Sequence, residues 1–394
     1  MLQQLGSFFR SLSASGRAAE AQTQLQDARR RTPIPVIWLF GKTQSGKTSI
    51  IRFLTHADNA EIGNGFQPCT RFSRHYPFPS TDAPLMSFLD TRGLDEPGYN
   101  VAEDLEQFDN LAHLVIVTAK VMDHAQENVI RNLEVIRKTR PSRPVILALT
   151  CLHEAYPQQQ HPQEYPFREN LYPPDVPDAL ARSIAEQHRR FGPYIDTIVP
   201  IDLTNPEEGY NEPNYGGEVL KEEILYRLPD AYRQTLLTLD RFTGELGDAH
   251  LRRALPLITG YSYLAAAAGA IPIPFLDLVL LPGLQMKMVM ELGKLYGQQL
   301  SAEHYREIAA TLGTSMMTRQ AVRELAKFIP FAGVAAGAAL AGASTYALGR
   351  AFCYYYQHVK EGHVPSAQQL KHYFQKELTD AQHWWQSASK DQPK

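Results

Sequence analysis

Only three cysteines occur in 394 residues, and Cys69, Cys151 and Cys353 stand too far apart to suggest a disulfide framework or a thiolate metal site. That usage suits a reducing compartment. Surplus positive charge is missing too: Lys and Arg total 39 against 42 Asp and Glu, a net −3, so nucleic acid is not an expected partner. The 13 histidines are scattered, and no H-x-x-x-H pair marks a metal site. The N-terminal segment lacks the continuous apolar core of a secretory signal, and none is expected. Long clean apolar runs are scarce as well. Of two uncharged stretches, 254–276 is interrupted by Pro272 and Pro274, which leaves 257–270 as clean helix. At about 1.5 Å per residue that segment spans roughly 21 Å, short of a hydrocarbon core of about 30 Å.

One sharply spaced motif is present. Gly41-Lys42-Thr43-Gln44-Ser45-Gly46-Lys47-Thr48 reads G-x-x-x-x-G-K-[ST], between the apolar run 36–40 and a helical pattern from Ser49. Its glycines permit conformations that a β-carbon would block, so backbone N–H groups can turn inward around phosphates at a helix N-terminus. Gly41 through Ser49 are therefore the expected residues for a nucleotide triphosphate. Lys47 is expected to reach its β- and γ-phosphates and Thr48 to hold Mg²⁺. A second motif, Asp90-Thr91-Arg92-Gly93, ends the apolar run 85–89. Asp90 can hold the metal shell through water, and the Gly93 N–H can meet the γ-phosphate. Between the motifs, the hydroxyl of Thr70 in the flexible stretch 63–70 is expected to complete the metal shell.

From 36 to about 229, apolar runs alternate with helical patterns, as a parallel sheet with crossover helices requires. Strands are expected at 36–40, 72–78, 85–89, 114–119, 145–149 and 198–203, and helices at 48–54, 127–138, 178–190 and 217–227. Residues 156–177, rich in Pro, Gln and Tyr, read as a surface insertion, or as a lid or partner site next to the base pocket. Residues 1–30 read as a helix with Leu2, Leu5, Phe8, Phe9 and Leu12 on one side, packed on the nucleotide domain or anchored at an interface.

From Asp230 the pattern is helical. The stretch 328–349 is mostly Ala and Gly after Pro330, which favours close helix contact, and Gly333-x-x-x-Gly337 fits such a contact. A two-span hairpin would place Lys287, Lys294, Arg306, Arg319, Arg323 and Lys327 outside, against the positive-inside tendency. A tightly packed helical domain that can insert shallowly, or open onto a membrane, is expected instead. Tyr354, Tyr355 and Tyr356 suit either the headgroup level or a core. The tail, 366–394, begins as a polar helix with Trp384 and Trp385 and is expected to end disordered from Ser389.

The phosphate loop, switch threonine and D-x-x-G, in that order, resemble the Era-like branch of translation-factor-class GTPases over roughly 33–230. The resemblance implies an α/β P-loop NTPase fold, mostly parallel sheet with helices on both faces, binding GTP/GDP with Mg²⁺. Such GTPases read guanine with [N/T]-K-x-D; here Thr150-Cys151-Leu152-His153-Glu154 stands in its place. Thr150 fits, Cys151 and His153 depart, and Glu154 is a substitute carboxylate for the base. Leu94 stands where Ras-like enzymes place a water-orienting glutamine, so Gln44, Asp95 and Glu96 become the candidates to position water. Slow intrinsic turnover follows. The catalytic set is expected to be Lys47, Thr70, Gly93 and Gln44.

A second resemblance, to the YcjF-type domain found with bacterial GTPases, rests on Ala270-Ile271-Pro272-Ile273-Pro274 with Asp277, Gln285-Met286-Lys287-Met288, Leu295-Tyr296-Gly297, Phe328-Ile329-Pro330 and Thr345-Tyr346-Ala347-Leu348-Gly349. It implies an all-α, apolar domain and association with a membrane. The expected organisation is a helical segment at 1–32, a GTPase domain at 33–230, the YcjF-like domain at 231–365 and a tail at 366–394. The expected function is a nucleotide switch whose helical domain engages a membrane surface or membrane protein at the cytoplasmic face. A homodimer of the GTPase domain is a further expected partnership. The alternative is a scaffold or membrane-remodelling module whose nucleotide is structural.

Overall fold

The computed structural model describes residues 34–57, 62, 67–68, 73–91, 104–105, 108, 111–204, 212–229, 232, 249–270, 276–298, 305, 308, 333–361 and 363–390. The chain divides into two compact units, one spanning 34–240 and the other containing 241–394. Between the expected boundary near 230 and this division at 240, Tyr232 alone lies within the described residues.

In chain order the first unit comprises β1 (Val36–Gly41), α1 (Lys47–Thr55), β2 (Gln67–Pro68), β3 (Ser73–Phe78), β4 (Met86–Thr91), β5 (Leu114–Lys120), α2 (Glu127–Thr139) and β6 (Val145–Thr150). It continues with α3 (Asp178–Phe191), β7 (Thr197–Pro200), β8 (Asp202–Leu203), β9 (Asn214–Tyr215) and α4 (Gly217–Arg227). Seven strands form one sheet in the order β2-β3-β4-β1-β5-β6-β7. The neighbours from β4 to β7 pair parallel, and β3 runs antiparallel to β4.

β1 is central because its sequence lets it be. Ile37, Trp38, Leu39 and Phe40 are all fully buried, as a strand covered on both faces of a parallel sheet demands. Trp38 packs edge-on against Phe40 and Phe108, and its indole N–H donates to Thr91 Oγ1 at 2.8 Å. The chain leaves β1 towards β4 and returns to β5 on the other side, so the carboxyl end of β1 is a topological switch point.

Two expectations change here. The run 198–203 is not one strand: β7 ends at Pro200, and β8 pairs antiparallel with β9 in a separate two-stranded sheet. Pro200 offers no N–H to a ladder, and the next residue but one, Asp202, is drawn under the turn after β6. The stretch around Pro68, read as flexible, contributes β2, which pairs with Arg74 and His75. Residues 156–177 are exposed at about half of their positions, as a surface insertion is, and a few side chains pin the segment to the domain. Phe167 and Val176 are buried in the sheet's core cluster, Tyr165 donates to the Pro200 carbonyl at 2.7 Å, and His161 stacks on Tyr215.

The second unit comprises α5 (Ala249–Gly269), α6 (Leu276–Leu295), α7 (Gly333–Lys360) and α8 (Ala367–Lys390). α7 packs extensively along α5 and α8. α5 carries Pro256 within it. Proline forfeits one helical hydrogen bond, and the buried row Leu255, Ile258, Tyr261 and Leu264 offsets that loss. Crossing is close where side chains are small. A β-carbon on Gly337 would lie 3.2 Å from the Gly269 carbonyl, and one on Gly349 would strike Ile258 at 2.7 Å.

Several polar groups within the apolar helices are bonded internally: Gln285 to Thr345 Oγ1, Ser262 to the Ile258 carbonyl, Tyr356 to the Val289 carbonyl. Tyr356 is fully buried and Tyr354 stacks on Tyr373, so both belong to packing between helices. No helix among the described residues is long and apolar enough to cross a membrane. α8 runs through Ser389 and Lys390, beyond the point where order was expected to end. The expected helix at 1–30 lies outside the described residues.

Candidate nucleotide site

The loop between β1 and α1 is held in shape by its own backbone and by two neighbouring strands. Gln44 and Gly46 take left-handed conformations, φ 59° and 93°, and reverse the chain before α1 begins at Lys47. A β-carbon on Gly41 would lie 2.2 Å from Thr118 Oγ1, so the pairing of β1 with β5 tolerates no side chain there. Ser45, buried, donates to the Lys42 carbonyl at 2.7 Å and shares a hydrogen bond with Thr118 Oγ1 at 2.5 Å. Thr150, at the end of β6, donates to the Ser45 carbonyl at 3.1 Å. Thr43, Gln44 and Thr48 are exposed, and Ser49 is half-buried.

Lys47 is the centre of charge. Its Nζ donates to the Gly41 and Lys42 carbonyls at 2.8 and 2.7 Å, and it lies 4.0 Å from Asp90 Oδ1. Asp90 is the penultimate residue of β4, the strand beside β1, and both side chains are largely buried. Two residues separated by 43 positions thus meet at one end of the sheet because β1 and β4 run parallel in register, Leu39 opposite Asp90. Lys42 turns the other way, to Asp123 Oδ2 at 2.8 Å. Burial raises the Asp123 carboxyl, but the Lys42 hydrogen bond and the Ala125 N–H outweigh it and hold the group below the ordinary carboxylate value.

Beyond Thr150 the chain turns through Cys151, in a left-handed conformation, into a short 3₁₀ turn at Leu152–Ala155. His153 N–H donates to Asp202 Oδ2 at 2.6 Å, and its Nδ1 lies 2.8 and 2.9 Å from the two carboxylate oxygens. Glu154 accepts from Lys120 at 3.1 Å, a bond that raises the Lys120 amine above its ordinary value. Burial raises the Cys151 thiol.

The structure brings together Gly41, Lys42, Thr43, Gln44, Ser45, Gly46, Lys47, Thr48, Ser49, Asp90 and Thr150 around one loop, with Glu154 on the turn that follows Thr150. Thr70, Arg92, Gly93, Leu94, Asp95 and Glu96 lie outside the described residues. Sequence reading missed Thr118, Lys120, Asp123 and Asp202. Of these only Asp202 carried a signal, as a lone acid directly after the apolar run 198–201.

Residues 36–151 match the family described as 50S ribosome-binding GTPase, and 238–383 match the domain of unknown function DUF697. The chain joins a P-loop GTPase domain to a DUF697 domain. Among curated proteins it resembles Magnetosome membrane protein 22 of Magnetospirillum gryphiswaldense, with 29% identity over 130 residues, 31% of this chain and 67% of that protein. The chain is also similar to solved structures. Bacterial selenocysteine-specific elongation factor EF-Sec matches at 18% identity and TM-score 0.31, over 49% of this chain and 28% of that one. The G domain of the T. maritima FeoB iron transporter matches at 20% identity and TM-score 0.27, over 49% of this chain and 98% of that one.

Proposed function

We propose that the GTPase domain is an Era-like switch that binds GTP with Mg²⁺, hydrolyses it slowly, and thereby changes how the DUF697 domain engages a membrane or a membrane-bound partner. The observation that carries this reading is Lys47, whose ammonium sits inside the loop on the Gly41 and Lys42 carbonyls and 4.0 Å from Asp90.

The donor set fits a nucleotide with its metal. A loop whose first glycine leaves no room for a β-carbon, an ammonium, an exposed hydroxyl at Thr48 and a carboxylate at Asp90 meet at the carboxyl end of β1. Mg²⁺ held in such a site would offset charge developing on the phosphates. Lys47 would bind the same phosphates, Thr48 and Thr70 would hold the metal directly, and Asp90 would hold it through water. Gly93 would offer its N–H to the γ-phosphate. Gln44, exposed at the tip of the loop, is the candidate within it for orienting water, and a single weakly placed group of this kind supports slow turnover.

Base recognition falls to the turn after β6. Thr150 is committed to the loop carbonyl of Ser45, and Asp202 fixes the His153 ring through Nδ1. Glu154 and Lys120 form the neighbouring pair. Membrane engagement is supported by the apolar helices of the DUF697 domain and by the likeness to a magnetosome membrane protein.

Calorimetry of the full chain with Mg²⁺ tests the assignment. GTP is expected to bind in preference to ATP, and Lys47→Ala to abolish binding. Equal or ATP-biased affinity would sink the guanine reading, while micromolar GTP affinity in the Lys47 variant would refute the site. Nucleotide retained through purification with no phosphate release, even with liposomes present, would favour the structural-nucleotide scaffold.

A further inference from the structure

The C-terminal end of α7 stops in an unusual way for its side chains. Glu361 N–H still bonds the Gln357 carbonyl in helical fashion at 3.0 Å, but His363 N–H reaches back five residues to the His358 carbonyl, also at 3.0 Å. This six-to-one closure wraps the chain over the last turn. It lays the His363 ring across the His358 ring, centroids 4.7 Å apart and nearly perpendicular. Glu361 falls between them in sequence. One donor atom from each of His358, Glu361 and His363 lies within 4.8 Å of the other two.

The local bonding prepares these groups as ligands. His358 Nδ1 lies 2.8 Å from the Tyr354 carbonyl, which can only accept, so Nδ1 carries the proton and Nε2 keeps its lone pair. A backbone carbonyl on the far ring nitrogen is the usual support of a metal-bound histidine. The ring is also held by Tyr354, 4.0 Å away, which itself stacks on Tyr373 of α8. Glu361 Oε1 accepts from Gln357 Nε2 at 3.3 Å, which orients the carboxylate without using both its oxygens. The position suits a cation further, because the carboxyl end of a helix carries partial negative charge.

We infer that His358, Glu361 and His363 form a binding site for a zinc-class divalent cation that ties down the connection between α7 and α8. Two imidazoles and a carboxylate are a borderline donor set, suited to Zn²⁺ and Co²⁺ and poorly suited to Mg²⁺, which takes oxygen ligands. In tetrahedral geometry, donors about 2.1 Å from one ion stand roughly 3.4 Å apart. Side-chain rotation of two exposed residues and one half-buried one supplies that contraction. Three protein ligands leave a fourth position for water. This site belongs to the DUF697 domain and is independent of the nucleotide reading.

The test uses the full chain without a polyhistidine tag, titrated with Zn²⁺ and separately with Co²⁺, beside His363→Ala and Glu361→Ala. Both positions are exposed, and unchanged circular dichroism confirms that the variants fold. The wild type is expected to bind one equivalent of Zn²⁺ more than either variant, with affinity at that site reduced about tenfold or more by each change. Bound Co²⁺ should give visible d–d absorption that both variants lose and that millimolar Mg²⁺ does not displace. Identical stoichiometry and affinity in all three proteins, or displacement by Mg²⁺, would overturn the site.

Discussion

His113 is the residue where the fold leaves a pH signature. Its Nδ1 accepts the Val36 N–H at 3.0 Å, at the entry to β1, and Tyr232 lies against its ring. Accepting requires the neutral imidazole. Burial, and then the Arg143 charge, lower its proton affinity below the ordinary 6.5. The stability His113 contributes is therefore fully present above the unfolded value near 6.5 and lost as pH falls through the lowered folded one. Urea unfolding at pH 7.5 and pH 5 should show the wild type losing more stability than His113→Gln between those two conditions. Equal losses would mean that His113 is not the group responsible. Such a role was unreadable in the sequence, since nothing in the spacing of His113 and Val36 announces that a strand will start beside that ring.

At the scale of elements, the approach of α5 to α7 carries a sharper expectation. Gly349→Val places two methyl groups where even a β-carbon meets Ile258 at 2.7 Å. Overpacking of this kind costs about 1–3 kcal/mol, measurable as a lowered unfolding midpoint of the helical unit. Gly349→Val with Ile258→Ala should recover much of the loss, because the collision is with that one side chain; additive losses would contradict the contact. The small residues of 328–349 made this closeness legible beforehand, as the glycine spacing of the phosphate loop made β1, the turn and α1 legible. Other elements were hidden for a physical reason. β8 and β9 are two residues each and are held by pairing with each other, and the wrap-back after α7 brings together histidines five apart, a spacing that shares no helix face. Lys120, Asp123 and Asp202 reach the turn after β6 and the phosphate loop only through the order of the strands, which no local pattern encodes.

Across the whole molecule, the two units predict two unfolding events that ligands separate. GTP with Mg²⁺ should raise the midpoint of the first unit by mass action, about 2.7 kcal/mol at a hundredfold excess over Kd, and leave the helical unit unmoved. Zn²⁺ should do the reverse. Scanning calorimetry with each ligand alone checks both, and one transition shifted equally by either would show that the units unfold together. The strand order has a further effect before the protein is complete. β1 emerges from the ribosome first, yet Leu114 and its neighbours in β5, opposite Ile37, follow only dozens of residues later. At about 5–20 residues per second that interval is on the order of 4–15 s. Throughout it, an all-apolar strand waits with at least one edge uncovered, because β4 comes sooner but covers only the other side, and that edge is open to chaperones and to other nascent chains. The element that anchors the finished sheet is its chief aggregation hazard during synthesis.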